Sequence, residues 1–136
     1  MSITVEKEHV DRYMRIMELE PTGRYLYAQV LPAAQQMLFA QVGLTPLAMK
    51  NIVLAFTKEV ILLIALDPVG HFIAKHIRID RKDLAGIEFK KKWMQSKLVI
   101  KTAEYKDIRL NIPNSVANMP WQKPNLQQLI DDNWNA

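Results

Sequence analysis

The amino-acid sequence predicts one α+β domain, mainly β: an antiparallel sheet or barrel with a helix at each end of the chain. Three observations predict it. Between residues 51 and 112, short runs rich in β-branched residues recur every ten residues or so, separated by polar turns. The two ends of the chain instead carry apolar residues at helical spacing. All seven prolines (Pro21, Pro32, Pro46, Pro68, Pro113, Pro120 and Pro124) fall in connections or at element ends, where a missing N–H costs no ladder bond. A chain of 136 residues with 49% hydrophobic and 24% charged side chains suits a single domain, residues 1–136, with one sizeable core.

The first element, within residues 1–20, is a helix over Thr4–Leu19. Val10, Tyr13, Met14 and Met17 make one stripe, Thr4 is placed to cap the first turn, and Pro21 and Gly23 end it. Tyr25–Val30 reads as a strand closed by Pro32. Residues 33–42 are strong helix formers behind a proline, so a short helix is expected there, ended by Gly43 to Pro46.

The strands of residues 23–112 then continue. Ile52–Phe56 and Val60–Leu66 flank Thr57-Lys58-Glu59. Because Lys58 and Glu59 interrupt that stretch, neither run approaches the roughly 20 apolar residues of a membrane-spanning helix. Asp67-Pro68-Val69-Gly70 has the residue order of a tight turn. Phe72–Ile79 follows, with Ile73, Ile77 and Ile79 on one face. Ala85, Ile87 and Phe89 alternate next, then Leu98, Ile100 and Thr102 against lysines, then Ile108, Leu110 and Ile112. Pro124–Trp134 closes the chain as a helix whose Leu126, Leu129, Ile130 and Trp134 form one apolar face.

Small strands closed by an amphipathic C-terminal helix resemble the pleckstrin-homology-like fold, and the sequence resembles the bacterial branch of that superfamily. The likeness is carried by NIVLAFTKEVILLIAL from Asn51, by HIRIDRKDLAGIEFKKKWMQSKLVIKT from His76, and by NLQQLIDD from Asn125. It covers about residues 23–134 and leaves the N-terminal helix as an addition. The resemblance implies a partly open antiparallel β-barrel, a C-terminal capping helix over 124–134, and a bacterial binding module. Eukaryotic members that bind phosphoinositides use basic residues around the first hairpin. Here Leu31–Met49 has no Lys or Arg and Lys50 stands alone, so that ligand is not carried over.

Chemistry-bearing residues are sparse. With no cysteine there are no disulfides or thiol sites, which fits a reducing compartment. Residues 1–11 carry Glu6, Lys7, Glu8 and Asp11 and lack the apolar stretch of a signal peptide, so a cytoplasmic location is expected. The serines Ser2, Ser96 and Ser115 stand in no nucleophile elbow, and Gly23, Gly43, Gly70 and Gly86 make no phosphate loop. His71 and His76, read as one strand, point to opposite faces, with His9 far off. Asp80 and Asp83 read as turn caps, and Asp131 and Asp132 as solvated helix residues. The expectation is no enzyme, no cofactor, no metal and no catalytic residue.

Charge is placed unevenly. Residues 71–110 hold 11 basic and 5 acidic side chains, which accounts for the whole excess of +4. Within them, Lys90-Lys91-Lys92-Trp93-Met94, with Lys97 just beyond, should form a hairpin tip that is exposed and weakly held. Adjacent lysines ordinarily make a solvated tip, and Trp93 can fold back onto its own barrel. An exposed Trp and Met beside the lysines are a candidate binding site. The function expected is a non-catalytic binding or adaptor module for a protein or peptide. Two alternatives remain: weak multivalent binding to an anionic membrane surface through Lys90–Trp93, and nucleic-acid binding through the basic face of residues 75–109. Self-association is also open. Three lysines at about 1 kcal/mol each would give a membrane association constant on the order of 100 per molar, so membrane binding would need avidity.

Overall fold

The computed structural model describes residues 3–31, 50–103 and 107–135; the helix expected over 33–42 lies outside them. The chain forms helix α1 (Lys7–Ile16), strands β1 (Tyr25–Val30), β2 (Asn51–Phe56), β3 (Val60–Leu66), β4 (Phe72–Asp80), β5 (Leu84–Lys90), β6 (Gln95–Thr102) and β7 (Ile108–Pro113), and helix α2 (Gln122–Asp131). The strands make one antiparallel sheet in the order β4-β3-β2-β1-β7-β6-β5. It is not closed, and β4 and β5 are its two edges. No helix among the described residues is long and apolar enough to cross a membrane.

Two apolar clusters lie on opposite faces of this sheet. The inner one gathers side chains from every strand around Leu126, Leu129 and Trp134, with Leu84, Ile87 and Phe89 of β5 partly buried against it. The outer one joins Val10 and Met14 of α1 to Tyr27, Val53, Leu62 and Ile64. Strands β2 and β3 are therefore buried at every position, which is why their sequences are continuous apolar runs rather than alternating ones. The N-terminal helix is the cover that makes this possible. Burying Val10 and Met14 contributes about 2 kcal/mol each.

Helix α1 is shorter than its apolar stripe implied. It starts after Glu6, and Thr4 donates its backbone N–H to Val69 O (3.4 Å) instead of capping the helix. This contact seats the N-terminal segment on the β3–β4 turn. There Gly70 has φ +101° and a Cβ would stand 2.4 Å from the Thr4 carbonyl, so the turn needs glycine for two reasons. The Asp67 carboxylate accepts the N–H groups of Val69 and His71, both at 2.9 Å. His71 thus belongs to the turn, while His76 lies on β4 and meets the Tyr13 hydroxyl through Nδ1 at 2.9 Å.

Other local expectations fail for identifiable reasons. A bulge between Leu84 and Gly86 shifts the β5 register, so Leu84 turns inward and Ala85 is exposed. Asp80, expected as a turn cap, makes no side-chain capping bond to the Arg81–Asp83 turn and lies against Arg78 instead (3.4 Å). Helix α2 stops at Asp131. Trp134 reaches the core because the chain reverses through positive φ at Asn133 and Trp134, with Trp134 N–H donating to Leu129 O at 2.7 Å. Its indole then lies against Phe56 of β2 (5.9 Å between centroids) and Phe89 of β5 (5.1 Å), linking the two halves of the sheet. Asp132 is paired with Arg24 (2.6 Å) rather than simply solvated.

The helix is locked to the sheet by side-chain amides. Pairing of β1 with β7 runs through Val30↔Leu110 and Gln29↔Asn111; at constant register Ala28 would face Ile112 and Tyr27 would face Pro113, whose nitrogen carries no proton. The fully buried Gln122 amide occupies that break. Its Oε1 accepts Tyr27 N–H, and its Nε2 donates to the carbonyls of Tyr27 and Pro113, each at 2.9 Å. Asn125 continues along the open edge, donating to Gly23 O (2.8 Å) and Tyr25 O (3.1 Å). Trp121 Nε1 donates to Val5 O at 3.0 Å, tying the same turn to the outer layer.

Two outcomes test this packing. Gln122→Leu strands the buried N–H and C=O of Tyr27 and the partly buried Pro113 carbonyl and should cost about 3 kcal/mol in denaturant unfolding; a loss below about 0.5 kcal/mol would contradict the bridging role. Burial, and then the Arg78 charge, holds the His76 imidazole below its ordinary value of 6.5. The unfolded chain then binds this proton first, so the stability His76 contributes is complete above that value and is lost as pH falls through the folded one. Thermal stability should therefore drop on acidification below about pH 6.5, and less steeply in His76→Gln. Identical pH profiles for the two proteins would refute the contribution.

Candidate functional site

Strand β5 ends at Lys90 and β6 begins at Gln95, which leaves Lys91–Met94 as the turn between them. Its side chains project into solvent: Trp93 is 92% exposed and Met94 70%. Trp93 does not fold back onto the core. The main chain, contrary to expectation, is firmly held. Asn114, directly after β7, donates its backbone N–H to Met94 O (2.9 Å) and its Nδ2 to the carbonyls of Lys92 (2.8 Å) and Trp93 (3.2 Å). Ser96 Oγ accepts Lys92 N–H (3.3 Å) and donates to Asn114 Oδ1 (2.6 Å). One asparagine thereby collects three turn carbonyls, and the exposed indole stands on a fixed base.

Beside this tip runs a groove of about 300 Å³, walled on one side by Lys91 and Trp93 and on the other by the Lys123, Leu126, Gln127 and Ile130 flank of α2, with Asn114 and Ser115 at its end. Half-buried Ile130 supplies the apolar surface, above the buried Leu126, and Lys91 and Lys123 are exposed on opposite walls. Among the described residues neither lysine has a carboxylate partner. The arrangement offers apolar contact, an aromatic wall and two cations, which is recognition chemistry.

The candidate residues do not all share this place. Lys91 and Trp93 line the groove; Lys90, Lys92 and Met94 sit at the tip outside it. Lys97 lies on β6, where its ammonium donates to the Asn111 side chain across the ladder. The basic stretch 75–109 is divided between the two ends of the strand order, with Lys75 and Arg78 on β4 and Lys97, Lys101 and Arg109 on β6 and β7. Much of it is internally matched: Lys101 to Glu88 (2.8 Å), Arg109 to Asp107 (4.0 Å) and Arg78 to Asp80. The Glu88 carboxylate holds the Lys101 ammonium above the usual lysine range.

Sequence reading missed Asn114, Lys123, Gln127 and the outward side of Ile130. The Pro113-Asn114-Ser115 turn was the one signal for the clamp. A larger cleft of about 480 Å³ lies between α1 and the β3–β4 turn, lined by His9, Arg12, Tyr13 and His71. Its histidines are already engaged, His9 with Glu6 (3.7 Å) and His71 with Asp67 (3.1 Å), whereas among the described residues the tip lysines have no carboxylate partner. The tyrosines raised above their ordinary values, Tyr13 and Tyr27 by burial and Tyr25 by burial and its bond to Asp11, are on the α1-facing side of the sheet, away from the groove. Among the described residues no three His, Asp or Glu side chains gather as a metal site. No protein-family model matches the chain, and comparison with curated proteins finds no match.

The clamp predicts that Asn114→Ala loosens the tip without unfolding the domain. Backbone NMR order parameters of residues 91–94 should fall toward the flexible range, with a stability loss of about 1–2 kcal/mol. Unchanged order in the variant would remove Asn114 from this role.

Proposed function

We propose that the chain is a non-catalytic binding module of the pleckstrin-homology-like class, acting in a bacterial cytoplasm, and that its ligand is a segment of a partner protein taken between the β5–β6 tip and α2. The strand order, the open edges and the C-terminal helix on the inner face support the class. One observation carries the ligand site: a Trp 92% exposed on a hydrogen-bonded turn, across a groove from the Lys123–Ile130 flank of α2. A large aromatic presented at a surface on a fixed backbone is the usual centre of a protein–protein contact, because a Trp side chain has only two torsions to lose when it is covered.

A second reading is favoured by Met94, which protrudes beside Trp93 and three lysines yet lies outside the groove. On an anionic membrane that whole tip would insert, and α2 would not take part.

The two are separated by selecting peptides from a random display library and, in parallel, by sedimentation with phosphatidylglycerol vesicles. For groove binding, selected peptides should lose about tenfold or more in affinity to Trp93→Ala and also respond to Lys123→Glu. Vesicle retention that needs Trp93 and Met94 but ignores Lys123 would favour the membrane. Selection of no peptide that depends on Trp93 would contradict the peptide reading.

A further inference from the structure

We infer that the groove selects an acidic segment carrying one apolar side chain, which seats against Trp93 and Ile130 while flanking carboxylates meet Lys91 and Lys123. This rests on the peptide-binding reading and adds the chemistry of the ligand. Size comes first. About 300 Å³ is at the lower limit of small-ligand sites, so the groove fits one or two side chains rather than a cofactor. Charge comes second. The two walls contribute one cation each, Lys90 and Lys92 stand just outside, and none of these lysines has a carboxylate partner among the described residues. Of the acidic groups at the end of α2, Asp131 follows Ile130 and accepts from Gln127 Nε2 (2.9 Å), and Asp132 pairs with Arg24. An acidic partner therefore meets the Lys91 and Lys123 cations across the groove, while a basic one meets repulsion from both.

Geometry sets the mode of entry. The open edge of β5 invites an added strand, but the bulge between Leu84 and Gly86 breaks it, as bulged edges do to discourage pairing. The carbonyls of Lys92 and Trp93 are already taken by Asn114, so the turn offers side chains rather than a ladder. The segment enters between the tip and the Lys123–Ile130 flank of α2. The lysines govern on-rate and selectivity, and the apolar contact governs residence.

Three dye-labelled short peptides decide it, each with a central Phe flanked by glutamates, by glutamines or by lysines, measured by fluorescence anisotropy at low and high salt. The glutamate peptide should bind about tenfold more tightly than the glutamine peptide, the lysine peptide should bind least, and the difference should collapse at high salt. The double variant Lys91→Glu with Lys123→Glu should reverse the order while melting as wild type does, since both side chains are exposed. Equal binding of the glutamate and glutamine peptides, abolished by Trp93→Ala, would overturn the acidic selectivity and leave the peptide reading standing. Failure of all three to bind at low salt would overturn both. Acidic binding that survives the loss of Trp93 would place the contact elsewhere and overturn the site.

Discussion

The break between β1 and β7, and the glutamine that fills it, is the constraint on which the rest of the architecture depends. Pro113 cannot donate to Tyr27, so the ladder joining the two halves of the sheet stops after Gln29↔Asn111. A buried opening there would strand backbone groups at a cost of one to a few kcal/mol each. Gln122 supplies the missing donor and acceptor from outside the sheet. The consequence reaches beyond local stability, because the group that heals the break belongs to the first turn of α2. The helix is fixed in position and direction by hydrogen bonds, which are directional, and not by apolar packing alone, which tolerates sliding.

From that anchor the two faces of the molecule follow. Inward, Leu126, Leu129 and Trp134 fill the concave side of the sheet. Outward, the Lys123–Gln127 flank becomes a stationary wall beside the β5–β6 tip. The tip is fixed independently by Asn114, one residue past the proline that creates the break. Both walls of the groove thus trace back to the end of β7, at Pro113 and Asn114. A groove between two anchored walls loses little entropy on binding, which makes a small contact area useful.

Much of the fold was legible because burial leaves periodic traces. Val10 and Met14 on one helical stripe, and Leu98, Ile100, Leu110 and Ile112 in alternation, are where period and burial agree. The continuous runs of β2 and β3 identified strands but hid their meaning, since α1 covering the outer face is a relation between distant segments. Ala85 and Trp134 mark the limit of periodicity: a bulge inverts the first, and a positive-φ reversal, not helical continuation, carries the second to the core. The candidate site was legible only as a lysine-rich tip with an exposed Trp. Asn114 and Gln122 are ordinary polar residues in sequence, and their roles exist only once the chain ends they bridge are brought together. Lys123 and Ile130 lie some thirty residues or more from the tip, and only the docked helix makes them its opposite wall.

The central claim is that two walls anchored around the end of β7 form one recognition site. Its most direct measurement is a heteronuclear NMR titration of the isotope-labelled protein with the glutamate-flanked Phe peptide. Shifts concentrated at the Trp93 indole N–H, Lys91, Asn114, Lys123 and Ile130, with Tyr27 and the Gln122 side-chain amide unmoved, would be the result predicted: a preformed site binding without rearrangement. Shifts confined to the tip with α2 silent, or following the β5 edge toward Gly86, would contradict it.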